Sequence, residues 1–233
     1  MIRNLAQRVA SALTLPVEPE VRAFAERLVT NDALAVLFYG SNLRTGSLEG
    51  VLDFYVLTKG PLERTIWPRV SYREWSTGGV DLRAKVATMT LETFAAAAAG
   101  KLLDTTIWAR FVQPSALVWS KDETATRAVE HAIGEAACTA ARLAVALGPE
   151  KGTAEAYWKA LFRATYAAEF RVERAGREDS ILAVNQEHFA GLLPLALKAD
   201  GIAFDQDKDT IRPYLSDTQR QSLHRWWKRR QRL

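Results

Sequence analysis

The feature that most limits what this chain can fold into is a change of texture at Thr90. Before it, short apolar runs rich in β-branched and aromatic residues alternate with Gly, Pro and polar breaks. After it, Ala, Leu and spaced charges dominate, with Gly and Pro only at breaks such as Gly148-Pro149. The first pattern suits buried strands and the second suits helices. The expectation is an α+β chain: a sheet-bearing domain over residues 1–120, a helical domain over 121–215 and a basic tail over 216–233.

In the first part, Leu5, Val9 and Leu13, then Val21, Phe24, Ala25 and Leu28, recur at helical spacing on either side of Pro16 and Pro19, so two helices are predicted. Ala33 to Tyr39 and Val51 to Leu57 read as buried strands. Val80 to Thr90 reads as a third, with Asp81, Arg83 and Lys85 on one polar face. Helices are predicted near 91–99, 104–112, 122–147, 152–175, 180–198 and 216–232.

With 233 residues, 48% of them apolar, the chain can bury a core of one large or two small domains. Apolar stretches such as Leu34 to Tyr39 and Ala95 to Ala99 fall far short of the roughly 20 residues of a bilayer-crossing helix. The first residues, Met1 to Leu5, lack the pattern of a secretory leader, so a cytoplasmic chain is expected. Cys138 is the only cysteine, which excludes an internal disulfide and a cysteine metal cluster. His131, His188 and His224 are scattered without ligand spacing, and no zinc site is expected. The formal net charge of +4 is a body of −2 carrying +6 in residues 220–233: Arg220, Arg225, Lys228, Arg229, Arg230 and Arg232.

The informative constellation is the first strand, Gly40-Ser41, a short helix or turn, and Asp53 on the next strand. A helix start offers unpaired amides and a favourable dipole to phosphate, and a carboxylate on the adjacent strand can hold Mg²⁺ against the same phosphates. In nucleotidyltransferases of the polymerase-β type that arrangement positions a nucleoside triphosphate while an acceptor attacks its α-phosphorus. Taken alone, Gly-Ser also fits an ordinary turn, and Asp53 a structural carboxylate. Where an Asp-x-Asp pair would put its second acid stands Tyr55. Asp81 can supply the further metal ligand, or the ion can rely on substrate phosphates and water.

The stretches Val36 to Ser41 and Leu52 to Val56 resemble the opening of the mitochondrial phosphatidate cytidylyltransferase family, the translocator assembly and maintenance proteins. Three more blocks follow in the same order. Arg83 to Met89 is similar to a lysine-bearing strand, with Lys85 at the lysine. Ile107 to Pro114 is similar to a Gly-Arg-Leu-x-Lys-Pro segment, with Arg110 and Pro114 at the Arg and Pro. Thr165 to Arg171 is similar to a Ser-Tyr-x-Gly-Asp-x-Arg block. The chain departs from the pattern at Asn42, at Gln113 and at Ala168-Glu169.

The resemblance implies a polymerase-β-type nucleotidyltransferase domain, a mixed sheet with helices, followed by a helical, winged-helix-like domain. It implies Mg²⁺ as cofactor, CTP as donor and phosphatidic acid as acceptor, giving CDP-diacylglycerol and pyrophosphate. Asp53 would hold the metal, with Asp81 as a second ligand. Tyr39, Gly40, Ser41 and Arg110 would bind nucleotide phosphate, and Lys85 would stabilise charge on the leaving pyrophosphate.

Each role has a plainer rival. Lys85 can pair with Asp81, Arg110 can be a cation at a helix C-terminus, and Glu169 and Arg171 can be a solvated face. Tyr166, with Glu169 and Arg171, is a possible cleft residue or simply core. In the tail, Trp226 and Trp227 beside Lys228, Arg229 and Arg230 have the composition of a peripheral helix on an anionic membrane, here its inner face. A tail for RNA is the rival, and no stable nucleic-acid partner is expected. Two other functions remain open: transfer to a soluble or protein acceptor, and a catalytically silent nucleic-acid-binding or antitoxin module.

Overall fold

The computed structural model describes residues 4–64, 66–77, 79–168 and 182–230. The chain is mixed α+β, and its main sheet is five-stranded and mixed. It divides into two compact units whose segments interleave along the sequence. One holds residues 9–96 and 113–133, the other 1–8, 97–112 and 134–233. The cut expected at residue 120 therefore falls inside the first unit.

In that sheet unit, β1 (Ala33–Tyr39) and β2 (Val51–Thr58) form where predicted, flanking a short helix α3 (Ser41–Thr45); α1 (Leu5–Leu13) and α2 (Pro19–Arg27) precede them. The predicted third strand is β4 (Val80–Thr90), which runs into α4 (Leu91–Ala98). Two strands went unpredicted, β3 (Arg69–Thr77) and β5 (Ser115–Ser120), and they are the two edges of the order β3-β4-β2-β1-β5. Only β2 and β4 pair in parallel.

Alternation gives the sheet two chemically different faces. Val36, Phe38, Leu52, Phe54, Val56, Leu82, Ala84 and Val86 share one core with Val21, Phe24 and Ala25 of α2. Phe24 stacks on Phe54 at 5.6 Å and meets Trp75 edge-on at 6.0 Å. Full burial of such side chains contributes about 1.5–3 kcal/mol each, so this face anchors the sheet. The other face carries Tyr39, Asp53, Tyr55 and Lys85. Tyr55 is buried there between the rings of Tyr39 and Phe94, at 5.5 and 6.4 Å.

The second unit is mainly helical: α5 (Thr106–Phe111), most of α6 (Glu123–Leu147), α7 (Ala154–Ala168), α8 (Gln186–Ala199) and α9 (Asp217–Arg230). A small sheet of β6 (Gly152–Thr153), β7 (Phe204–Asp207) and β8 (Thr210–Pro213) completes it, in the order β6-β8-β7. Trp158, Phe162 and Phe189 pack together, and the Trp158 indole donates to the Phe189 carbonyl at 2.9 Å. Trp158 and Phe162 of α7 are thus packing residues. Arg142 clamps Asp200 through two parallel hydrogen bonds, tying α6 to the end of α8. Among the described residues no helix is long and apolar enough to cross a membrane.

Candidate functional site

The site begins where β1 ends. Gly40 has φ +92°, a region L side chains rarely adopt, and a Cβ added there would lie 2.9 Å from Asp53 Oδ2. Glycine is thus required twice, for the backbone turn and for the approach of the carboxylate. Ser41 follows as the first, exposed residue of α3. The loop beyond is held by Asn42, only 6% exposed, whose side-chain amide donates to the carbonyls of Ser47 and Glu49 at 2.8 Å each. Gly46 closes α3 in the left-handed conformation and gives its N–H to the Asn42 carbonyl.

Register aligns the rest. Tyr39 lies opposite Asp53, Asp53 opposite Lys85, and Lys85 opposite Tyr72, one row across four strands. Neighbouring strands are about 4.8 Å apart, so Asp53 and Lys85 are immediate neighbours and Tyr72 is roughly 10 Å from Asp53. Tyr39, Asp53 and Lys85 are half-buried, neither sealed in the core nor free in solvent. A carboxylate, an ammonium and a glycine turn are therefore gathered at one strip of the sheet.

Asp81 does not join them. It lies on the same face of β4 but four residues before Lys85, a displacement of roughly 13 Å along the strand. Its carboxylate accepts a hydrogen bond from the Ser76 hydroxyl on β3 instead. The expected second ligand is thus too far to share an ion with Asp53. Among the described residues no three His, Cys, Asp or Glu side chains converge as a metal cage. One protein carboxylate would suit a hard cation such as Mg²⁺ only where other oxygen ligands, from phosphate or water, complete its shell.

Arg110 lies in the last turn of α5, in the helical unit, and is half-buried. Tyr166 is in α7 with its side chain outside the described residues, and Glu169 and Arg171 lie outside them altogether. The tail does form a helix, α9, but its tryptophans face inward. Trp227 is 3% exposed, and both rings pack on the buried Trp108, at 6.1 and 6.3 Å. Arg230 lies over the Trp226 ring at 3.6 Å and donates to the carbonyls of Gly100 and Leu102. This corrects the reading of Trp226, Trp227 and Arg230 as a membrane-facing set: they are packing residues. Lys228 and Arg229 remain exposed, as does Arg225 on the same side.

Elsewhere, burial pushes the Cys138 thiol up to about 12, which leaves it unreactive. His188 donates from Nε2 to the Val112 carbonyl at 2.9 Å, and burial holds its imidazole below the ordinary value. A cavity of about 270 Å³ lies beside α3, lined by Val21, Phe38, Leu43 and Leu48 among others. Phe38 belongs to the core face, and neither Asp53 nor Lys85 borders this cavity.

Two residues of the site had no role assigned from sequence. Asn42 stood out only as a departure from the family pattern, and its function as the staple of the loop depends on carbonyls five and seven residues away. Tyr72 was invisible because its strand was. No known family model matches this chain, and no curated protein is significantly similar to it.

Proposed function

We propose that the chain is a polymerase-β-type nucleotidyltransferase that moves a cytidylyl group from CTP to phosphatidic acid. The observation that carries this reading is the contact between Gly40 and Asp53 at the head of the Asp53–Lys85 row. It sets a turn that would cradle phosphate against a carboxylate that would hold a metal, with a cation on the next strand. The helical unit, with its β7–β8 hairpin, is compatible with a winged-helix-like domain.

In this reading the backbone around Gly40 and Ser41 holds the β- and γ-phosphates. Asp53 would hold Mg²⁺, which would neutralise phosphate charge there. An oxygen of the acceptor phosphate attacks the α-phosphorus, a new P–O–P bond forms, the bond to the β-phosphate oxygen breaks, and pyrophosphate leaves with its electron pair. Lys85 stabilises the charge that builds on that leaving group. A phosphate monoester is already ionised near neutrality, so its attack requires no general base.

The test is release of pyrophosphate from CTP that needs both phosphatidic acid and Mg²⁺ and is lost in Asp53→Asn. Release without lipid, onto a soluble phosphate or sugar, would favour the second reading. That alternative draws on the inward packing of Trp226 and Trp227, which removes the apolar half of the expected anchor.

A further inference from the structure

The fold treats the two edges of the main sheet differently. At one edge β5 is largely buried, whereas β3, at the other, is exposed along most of its nine residues. Among the described residues no strand lies beyond β3, so its outward N–H and C=O groups form a template for a further strand. Little blunts that template: its pairing with β4 runs without a bulge, and none of its residues is lysine or proline. On and just before β3 the fold leaves Ile66, Tyr72 and Val70 in water, 88%, 70% and 49% exposed.

The charges of β3 decide which strand can join it. A second copy related by a two-fold axis normal to the sheet runs antiparallel and keeps like faces together, so one residue on the axis faces itself. An axis at Arg73 sets two arginines opposite each other, one at Glu74 sets two glutamates, and one at Ser71 sets Arg69 opposite Arg73. Like charges so placed are destabilising. An axis at Val70 pairs only Arg69 to Ser71, and one at Trp75 only Arg73 to Thr77. An axis at Tyr72 pairs the whole stretch from Arg69 to Trp75, with Arg69 opposite Trp75, Val70 opposite Glu74 and Ser71 opposite Arg73.

The surrounding charges accommodate that register. Glu63 holds Arg69 at 2.9 Å, which offsets its approach to Arg27, whose guanidinium lies 4.8 Å over the Trp75 ring. On the other face Arg83 stands opposite Glu74 in the same chain, and Asp81 accepts the Ser76 hydroxyl. The two Lys85 side chains stand three strand spacings apart, roughly 14 Å, and the two Asp53 five, roughly 24 Å, both beyond a screening length of about 8 Å. The remaining like charges are diagonal: exposed Arg73 lies about 7–8 Å from Arg69 and Arg73 of the second copy.

We propose that β3 is the interface of a symmetric dimer, pairing antiparallel with β3 of a second copy about an axis at Tyr72. The pairing joins two five-stranded sheets into one and keeps both Asp53 rows on the same face. It concerns the sheet edge and not the transfer chemistry, so it holds whether or not the chain is a nucleotidyltransferase.

The test uses the full chain in analytical ultracentrifugation and thiol cross-linking. At about 100 µM the wild type should sediment as a dimer, with a Kd on the order of 10 µM. Val70→Glu with Tyr72→Glu sets carboxylates opposite each other at the axis and on both sides of it, and should raise that Kd by at least about tenfold at an unchanged thermal midpoint. In a Cys138→Ala background, Tyr72→Cys should cross-link to itself on mild oxidation, because facing Cβ atoms are about 4.5–5.5 Å apart. Ser71→Cys mixed with Arg73→Cys should cross-link far more than either alone. A wild type that is monomeric at about 100 µM overturns the inference. So does a dimer that survives the double substitution, or one in which Arg73→Cys cross-links to itself in preference to Ser71→Cys.

Discussion

Gly40 and Asp53 face each other so closely that a methyl group on the first would press against the carboxylate of the second, 2.9 Å away. Gly40→Ala should therefore do two separable things. The left-handed backbone costs about 1–3 kcal/mol of stability. Displacement of the Asp53 carboxylate should lower transfer by at least about 100-fold, as removal of a key charge stabiliser does. Thermal unfolding and pyrophosphate release, measured side by side, separate the two; full activity in Gly40→Ala would refute the shared site.

Lys85 gives a cleaner kinetic test because it is half-buried on a strand and its neighbours pack without it. Lys85→Met should reduce kcat by about 100-fold with a smaller change in the KM for CTP, since its proposed work is on charge that develops at the leaving group. Lys85→Arg should restore part of that loss. A rise in KM alone would make the lysine a ground-state binder.

Asn42 holds two loop carbonyls at once. Removing the amide in Asn42→Leu leaves both without their donor, at a cost of about 1–3 kcal/mol. Hydrogen exchange should rise first in residues 46–50, and the nucleotide affinity should fall with it. Unaltered exchange there would show that the loop holds itself.

Acid should loosen the helical unit through His188. Its imidazole is held below the ordinary value near 6.5 by burial, with the Arg8 cation adding to the effect and the Val112 carbonyl opposing it. The unfolded chain therefore takes up a proton at a pH where the folded chain does not. The stability from keeping the ring neutral is complete above about pH 6.5 and is lost as pH falls through the folded value. His188→Gln should flatten the decline in melting temperature between about pH 7 and 5; an unchanged slope would assign the decline to other groups.

The inward packing of α9 is tested by comparing its two kinds of residue. Trp227→Ala should cost about 3–5 kcal/mol, as truncation of a buried aromatic does, while Lys228→Gln with Arg229→Gln should leave the melting temperature nearly unchanged. Equal effects would mean that the helix is not docked through its tryptophans.

What could be read from the residues followed from burial. β1, β2 and β4 carry apolar runs because both of their faces, or one long face, are covered, and the helices after Thr90 carry strong apolar spacing for the same reason. β3 offered no such signal: Arg69 to Thr77 is an edge strand, mostly exposed on both sides, so neither a run nor an alternation marks it. Gly40 and Asp53 were legible as candidates because their spacing belongs to adjacent strands, and Lys85 through the resemblance of its strand to a lysine-bearing one. Asp81 was misplaced because strand parity gives the face of a residue and not its distance along the register. The tryptophans of α9 misled because their partner, Trp108, lies more than a hundred residues away in sequence.

The contact of Trp226 and Arg230 with the turn at Gly100 has a consequence for how the molecule is made. Synthesis runs from the N-terminus, and α9 is the last described element to emerge from the ribosome. Until it does, Trp108 lacks both indole neighbours and the carbonyls of Gly100 and Leu102 lack the guanidinium that satisfies them. The strands of the sheet unit have all been delivered by residue 120, so that unit can close during translation while its partner waits for the final helix.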